Sequence, residues 1–120
     1  MAEIEQAPIE GEDFGGSWVQ LGGKRYKLAP LNFKALRNGL AEKISKLQDM
    51  QRGAIPTPEQ FGMICEVVAA SVRRNYPSLD DAFVEDRLDM GNFNSVFAAV
   101  LSATSLPVKE GDPVSGEIRP

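Results

Sequence analysis

Two proline-marked boundaries constrain this chain more than any other feature. In AIPTPEQF, Thr57 is placed to cap a helix, Pro58 to fill its first position and Gln60 to close a capping box. In RRNYPS, Pro77 has no N–H with which to carry that helix onward, and Asn75 suits a left-handed C-terminal turn. The helix between these marks carries Phe61, Ile64, Cys65, Val68 and Val72 at helical spacing, so one face is expected to be core. Ser78 restarts the chain as the cap of a short third helix, with Asp80 and Asp81 in its first turn. Leu79, Phe83, Val84 and Leu88 form its wide apolar arc, and Met90-Gly91-Asn92 ends it.

Two more helices flank this pair. NFKALRNGLAEKISKLQDM places Phe33, Leu36, Leu40, Ile44, Leu47 and Met50 on one continuous stripe, with Asn32 as cap. Gly39 interrupts it, which suggests a close packing approach. Phe93, Val96, Phe97, Val100, Leu101 and Thr104 repeat the pattern behind Asn92. Upstream, SWVQLGGKRYKLAP reads as a β-hairpin turning at Gly22-Gly23, with Tyr26 and Leu28 on one face and Arg25 and Lys27 on the other. Such a hairpin is marginal alone and should pack on the helices or on another subunit. The expected fold is mainly α: a small four-helix domain over residues 17–106 with an N-terminal β-hairpin at 17–28. Residues 1–16 read as a flexible acidic tail and 107–120 as a flexible C-terminal tail, because neither buries enough apolar surface to offset its ordering entropy.

Composition narrows the chemistry. There is no histidine, so imidazole bases, Ser-His or Cys-His nucleophiles and histidine metal ligands are all excluded. The lone Cys65 excludes an internal disulfide and any CxxC motif, and it reads as a small buried hydrophobe. No apolar run approaches the roughly 18 residues of a membrane span. The acidic start lacks a signal-peptide pattern, so a cytoplasmic protein is expected. The first sixteen residues hold five acids and no base, while the stretch from 17 to 105 is close to neutral with eleven bases and nine acids. A nucleic-acid-binding domain gathers a larger basic excess than this.

Candidate partner-binding residues are the basic side chains off the apolar stripes. Lys34, Arg37, Lys43 and Lys46 share the polar face of the first helix. At about 100° per residue, Arg73 and Arg74 lie roughly 140° and −120° from Val68, outside a stripe spanning about −40° to +60°. There they complement the helix dipole, contact a partner, or bind phosphate. Tyr76 packs at the corner or joins such a contact. The acids Asp80, Asp81, Glu85, Asp86 and Asp89 do not match a calcium loop and read as a solvated face. Gly22-Gly23-Lys24 lacks the spacing and strand–helix flanks of a phosphate loop. No catalytic, cofactor-binding or metal constellation is visible, so a binding or assembly protein is expected.

The order of WVQLGGKRYKLAPLNFKALR, VVAASVRRNYPSLDD and LDMGNFNSVFAAVLSATSL resembles that of the tail assembly chaperones of long-tailed bacteriophages and prophages, which are encoded just before the tape measure protein. The similarity spans roughly residues 17–106 and is most specific from Ser71 to Asn94. It implies a mainly helical, non-enzymatic protein that binds the tape measure protein in the host bacterial cytoplasm and is absent from the finished virion. It also implies contacts with other tail proteins, room for a homo-oligomer, and no nucleic-acid, membrane or cofactor partner. Some members have a longer frameshifted form, which the segment after Leu106 would suit. Lys34, Arg37, Lys43, Lys46, Arg73 and Arg74 would then steer an acidic partner, and the acidic tail would compete for them or aid solubility. The alternatives are a head–tail connector or tail completion protein, and a helical DNA-binding regulator. GNFNSVFAAVLSAT, the candidate recognition helix, has no basic residue with which to read bases.

Overall fold

The computed structural model describes residues 4–50 and 55–106. In chain order the elements are β1 (Glu5–Gln6), β2 (Ser17–Leu21), β3 (Lys24–Leu28), α1 (Phe33–Ala35), a kinked segment Leu36–Leu40, α2 (Ala41–Gln48), α3 (Pro58–Asn75), α4 (Asp81–Arg87) and α5 (Phe93–Ala103). Taking α1 to α2 as one kinked helix, the fold is four helices with a small three-stranded sheet. It is mixed α/β, which corrects the expected mainly α domain. The expected C-terminal tail, 107–120, and part of the loop before α3 lie outside the described residues.

The hairpin forms as its sequence dictates. Leu21 pairs with Lys24 across the two-residue Gly-Gly turn, and Gly22 takes the positive φ of 68° that the turn requires. The alternation also holds: Leu21 and Leu28 are fully buried, whereas Arg25 is exposed. The hairpin packs on its own chain, β3 against α3 and β2 against α5.

The sheet's third strand is the correction at the N-terminus. Segment 4–16, expected to be a flexible tail, is a docked strap. β1 pairs in parallel with β3, giving the order β1-β3-β2. Ala7 is buried, and its N–H donates to the Arg25 carbonyl at 2.8 Å. Composition missed this because the strap, with Ala7 and Ile9 against the core, is held largely by backbone pairing with β3 and by hydrogen bonds to Asn75 and Tyr76.

Helix α3 starts at the expected capping box: Thr57 Oγ1 accepts from Gln60 N–H at 3.1 Å, and Gln60 Oε1 accepts from Thr57 N–H at 2.8 Å. Its buried surface is broader than one stripe and takes in Val67, Ala69 and Ser71 as well as Ile64, Val68 and Val72. The reason is its central position, with α2, α4, α5 and β3 all packed along it. Each fully buried valine contributes roughly 1.5–3 kcal/mol. Phe61, in the first turn and expected in the core, is instead 42% exposed.

The first helix is not continuous. Asn38 (φ −83°, ψ 20°) and Gly39 (φ 121°, ψ −16°) leave helical geometry. Gly39 therefore serves a positive φ that L-residues resist, and not a close approach, since a Cβ there would meet nothing within 4 Å. The break shifts the phase of the apolar stripe. Ile44 and Leu47 reach the core, but Phe33 stays 88% exposed.

Candidate functional site

The stretch SVRRNYPS, which offered the most chemistry on sequence grounds, is a structural clasp. Asn75 is fully buried and does not adopt the left-handed conformation expected of it. Its amide nitrogen donates to the carbonyls of Gly15 (3.1 Å) and Lys27 (2.9 Å), and its amide oxygen accepts from Phe14 N–H (2.8 Å). Tyr76 is 1% exposed. Its hydroxyl accepts from Lys27 N–H at 3.0 Å and donates to the Ala7 carbonyl at 3.1 Å, so one oxygen joins β3 to the strap. Burial pushes the Tyr76 phenol above its ordinary pKa. Ser71 Oγ donates to the Ala29 carbonyl at 2.7 Å. Tyr76 is therefore no surface contact.

The two arginines part company here. Arg74 is half-buried, donates to the Pro30 carbonyl at 2.7 Å and lies 4.1 Å from the centre of the Phe14 ring. Arg73 is exposed, and no partner holds it among the described residues. Ser78 does not cap α4. That role falls to Asp80, whose carboxylate accepts from Phe83 N–H at 3.0 Å. Ser78 instead donates its N–H and Oγ–H to Glu10, at 2.9 and 2.7 Å. These bonds hold the Glu10 carboxyl below its ordinary pKa, as the Gly15 N–H and then Lys27 do for Asp13. Asn92 stands at the cap of α5 without a side-chain capping bond. Its amide instead joins Asp89 N–H and the Arg87 carbonyl.

The basic face of the first helix divides as well. Lys43 reaches Glu66 on α3 at 2.6 Å, and Lys46 lies 3.8 Å from Glu42 in an exposed pair of little energetic weight. Lys34 and Arg37 remain exposed and line a shallow hollow of about 680 Å³ with Phe33, Leu36, Asn38 and Ala41. The acidic strap engages Lys27 through Asp13 at 3.2 Å, not these two bases.

A second concavity, about 590 Å³, lies between the first turns of α3, the end of α4 and the start of α5. Phe61, Cys65, Leu88, Met90 and Phe93 give it apolar walls, and Glu85 and Asp89 rim it. Burial, then Glu85 and Asp81, push the Cys65 thiol above its ordinary pKa. Periodicity hid both hollows because Phe33 and Phe61 fit core stripes. Asn38-Gly39 was the readable signal for the first, since a breaker ends the phase on which the stripe depends.

No family model, curated protein or solved structure matches the chain.

Proposed function

We propose that the chain is a binding protein that covers an amphipathic helical partner, in the manner of a phage tail assembly chaperone acting on the tape measure protein. The observation that carries the reading is Phe33, 88% exposed on an open hollow beside Lys34 and Arg37, bases with no partner among the described residues. Contiguous exposed apolar surface marks interaction sites, and Phe33 adjoins Leu36 and Ala41 in this hollow. A partner helix with an apolar stripe and flanking carboxylates fits that chemistry, the ring taking the stripe and the two cations steering the acids. The chain acts by binding, without catalysis, in the bacterial cytoplasm before the tail tube closes.

The test is co-expression with the tape measure protein encoded downstream. The expected result is a higher soluble yield and co-purification, both lost when Phe33→Ser is combined with Lys34→Glu and Arg37→Glu. A tape measure protein equally soluble with and without the chain overturns the reading. Recovery of the chain from purified particles would favour a connector or tail completion protein.

A further inference from the structure

The groove at the N-terminal end of α3 lies apart from the basic hollow and carries the opposite charge. Among the described residues its lining contains Glu85 and Asp89 and no lysine or arginine. Its apolar walls are open to solvent, with Phe61 42% and Met90 53% exposed.

Gly62 adds a separate observation. It sits inside α3, on the groove side, where glycine is a poor helix former. Its φ is not positive, and a Cβ added there would meet nothing within 4 Å. Neither backbone conformation nor packing against the described residues requires glycine at this position. The missing side chain leaves room for a second helix backbone to approach α3 closely. Pro58, Phe61, Gly62 and Cys65 follow one another along this side at i, i+3, i+4 and i+7. They form a track about 10 Å long, the length of two helical turns.

We infer that this groove docks an amphipathic α-helix whose apolar face is flanked by lysine or arginine, laid along α3 over Gly62. The occupant's apolar side chains sit between Phe61 and Met90, and its cations meet Glu85 and Asp89. The inference goes beyond the function proposed above: the face is different, the partner's charge is opposite, and either stands if the other fails.

The test uses the full chain with a labelled 18-residue helical peptide of leucine on one face and lysine on the other. A second peptide replaces each lysine by glutamate. The expected result is saturable binding of the leucine–lysine peptide only, with amide shifts centred on Phe61, Gly62, Met90 and Phe93. Gly62→Leu fills the track from the solvent side and should weaken binding about tenfold or more, as loss of a central contact does. Glu85→Lys with Asp89→Asn removes the acidic charge at the surface while the asparagine oxygen can still accept from Gly91 and Asn92 N–H, and it decides the matter should Gly62→Leu fail to fold. The double variant should lose the lysine peptide and gain the glutamate one. Shifts centred elsewhere, equal binding of both peptides, or unchanged affinity in the surface double variant overturn the inference. So does concentration-dependent self-association in sedimentation that Gly62→Leu or the surface double variant abolishes, since the groove's occupant would then be a second copy.

Discussion

The two ends of α3 are opposites in how they use their side chains. At the C-terminal end, Ser71, Arg74, Asn75 and Tyr76 all turn polar groups inward to the chain's own backbone. At the N-terminal end, Phe61 and Gly62 face solvent across an apolar groove. Arg74 and Tyr76, which suggested binding, are internal fastenings, and Phe61, which suggested core, is surface. The difference shows that residue type does not decide which side chains are available; the neighbouring segments do. The strap and hairpin close over one end of the helix, and nothing among the described residues closes over the other.

Substitutions test that contrast directly. Tyr76→Ala should be the most damaging, at about 3–5 kcal/mol, since it removes a buried ring and unpairs Lys27 N–H and the Ala7 carbonyl. Urea denaturation measures it, and a loss below about 1 kcal/mol, the scale of an ordinary surface change, would break the contrast. Asn75→Ala should follow at roughly 2–3 kcal/mol, because it strands Phe14 N–H and two carbonyls. Hydrogen exchange should then quicken at Phe14 while the α5 amides keep their relative protection.

The glycines give a smaller and signed comparison. Gly39→Ala forces an L-residue to a φ of 121° and should cost about 1–2 kcal/mol. Gly62→Ala should raise stability by roughly 0.5–1 kcal/mol, because it improves helix propensity without a clash. Thermal melts of the two variants should shift in opposite directions, and a shift of the same sign would mean that Gly62 serves the chain's own packing.

The pH dependence is the mildest test. Glu10 and Asp13 have lowered pKa values in the folded chain, so their contribution is present above the ordinary carboxylate range and fades as pH falls through the lowered values. Tyr76 is raised, so its contribution is complete below the ordinary tyrosine value of about 10 and is lost as pH rises through the folded one. Protection factors at Ala7 and Glu10 N–H, relative to unfolded-chain exchange at the same pH, should therefore fall at both extremes ahead of those of α3. Glu10→Gln should remove most of the acid limb that Ser78 generates.

The sequence made local punctuation legible and tertiary use much less so. The Thr57–Gln60 box, the Gly22-Gly23 turn and the stop at Pro77 depend on near neighbours in the chain, and the structure has all three. Asn75, Tyr76 and Ser78 bind residues 48 to 69 positions away, a distance that no spacing rule reaches. The strap was illegible for the same reason, since its partners are the edge of β3 and polar atoms of Asn75, Tyr76 and Ser78, all distant in the chain. Lys34 and Arg37 lie exposed, as the polar face of the helix implied, and their charged heads needed no tertiary knowledge. Phe33 and Phe61 needed it, because a stripe position implies core only where some element lies opposite.

β1 pairs with β3 over only two residues, Glu5 with Lys24 and Gln6 with Arg25. That brevity has a consequence for solubility. The open flank of a sheet is a template on which other chains can add strands, and a short outer strand with exposed polar side chains is a poor template. The strap therefore acts as a guard rail, occupying the flank of β3 while offering little for another strand to grip. A chain shortened past Gln6 would lose more than a few hydrogen bonds: its bared β3 would become sticky toward its own kind.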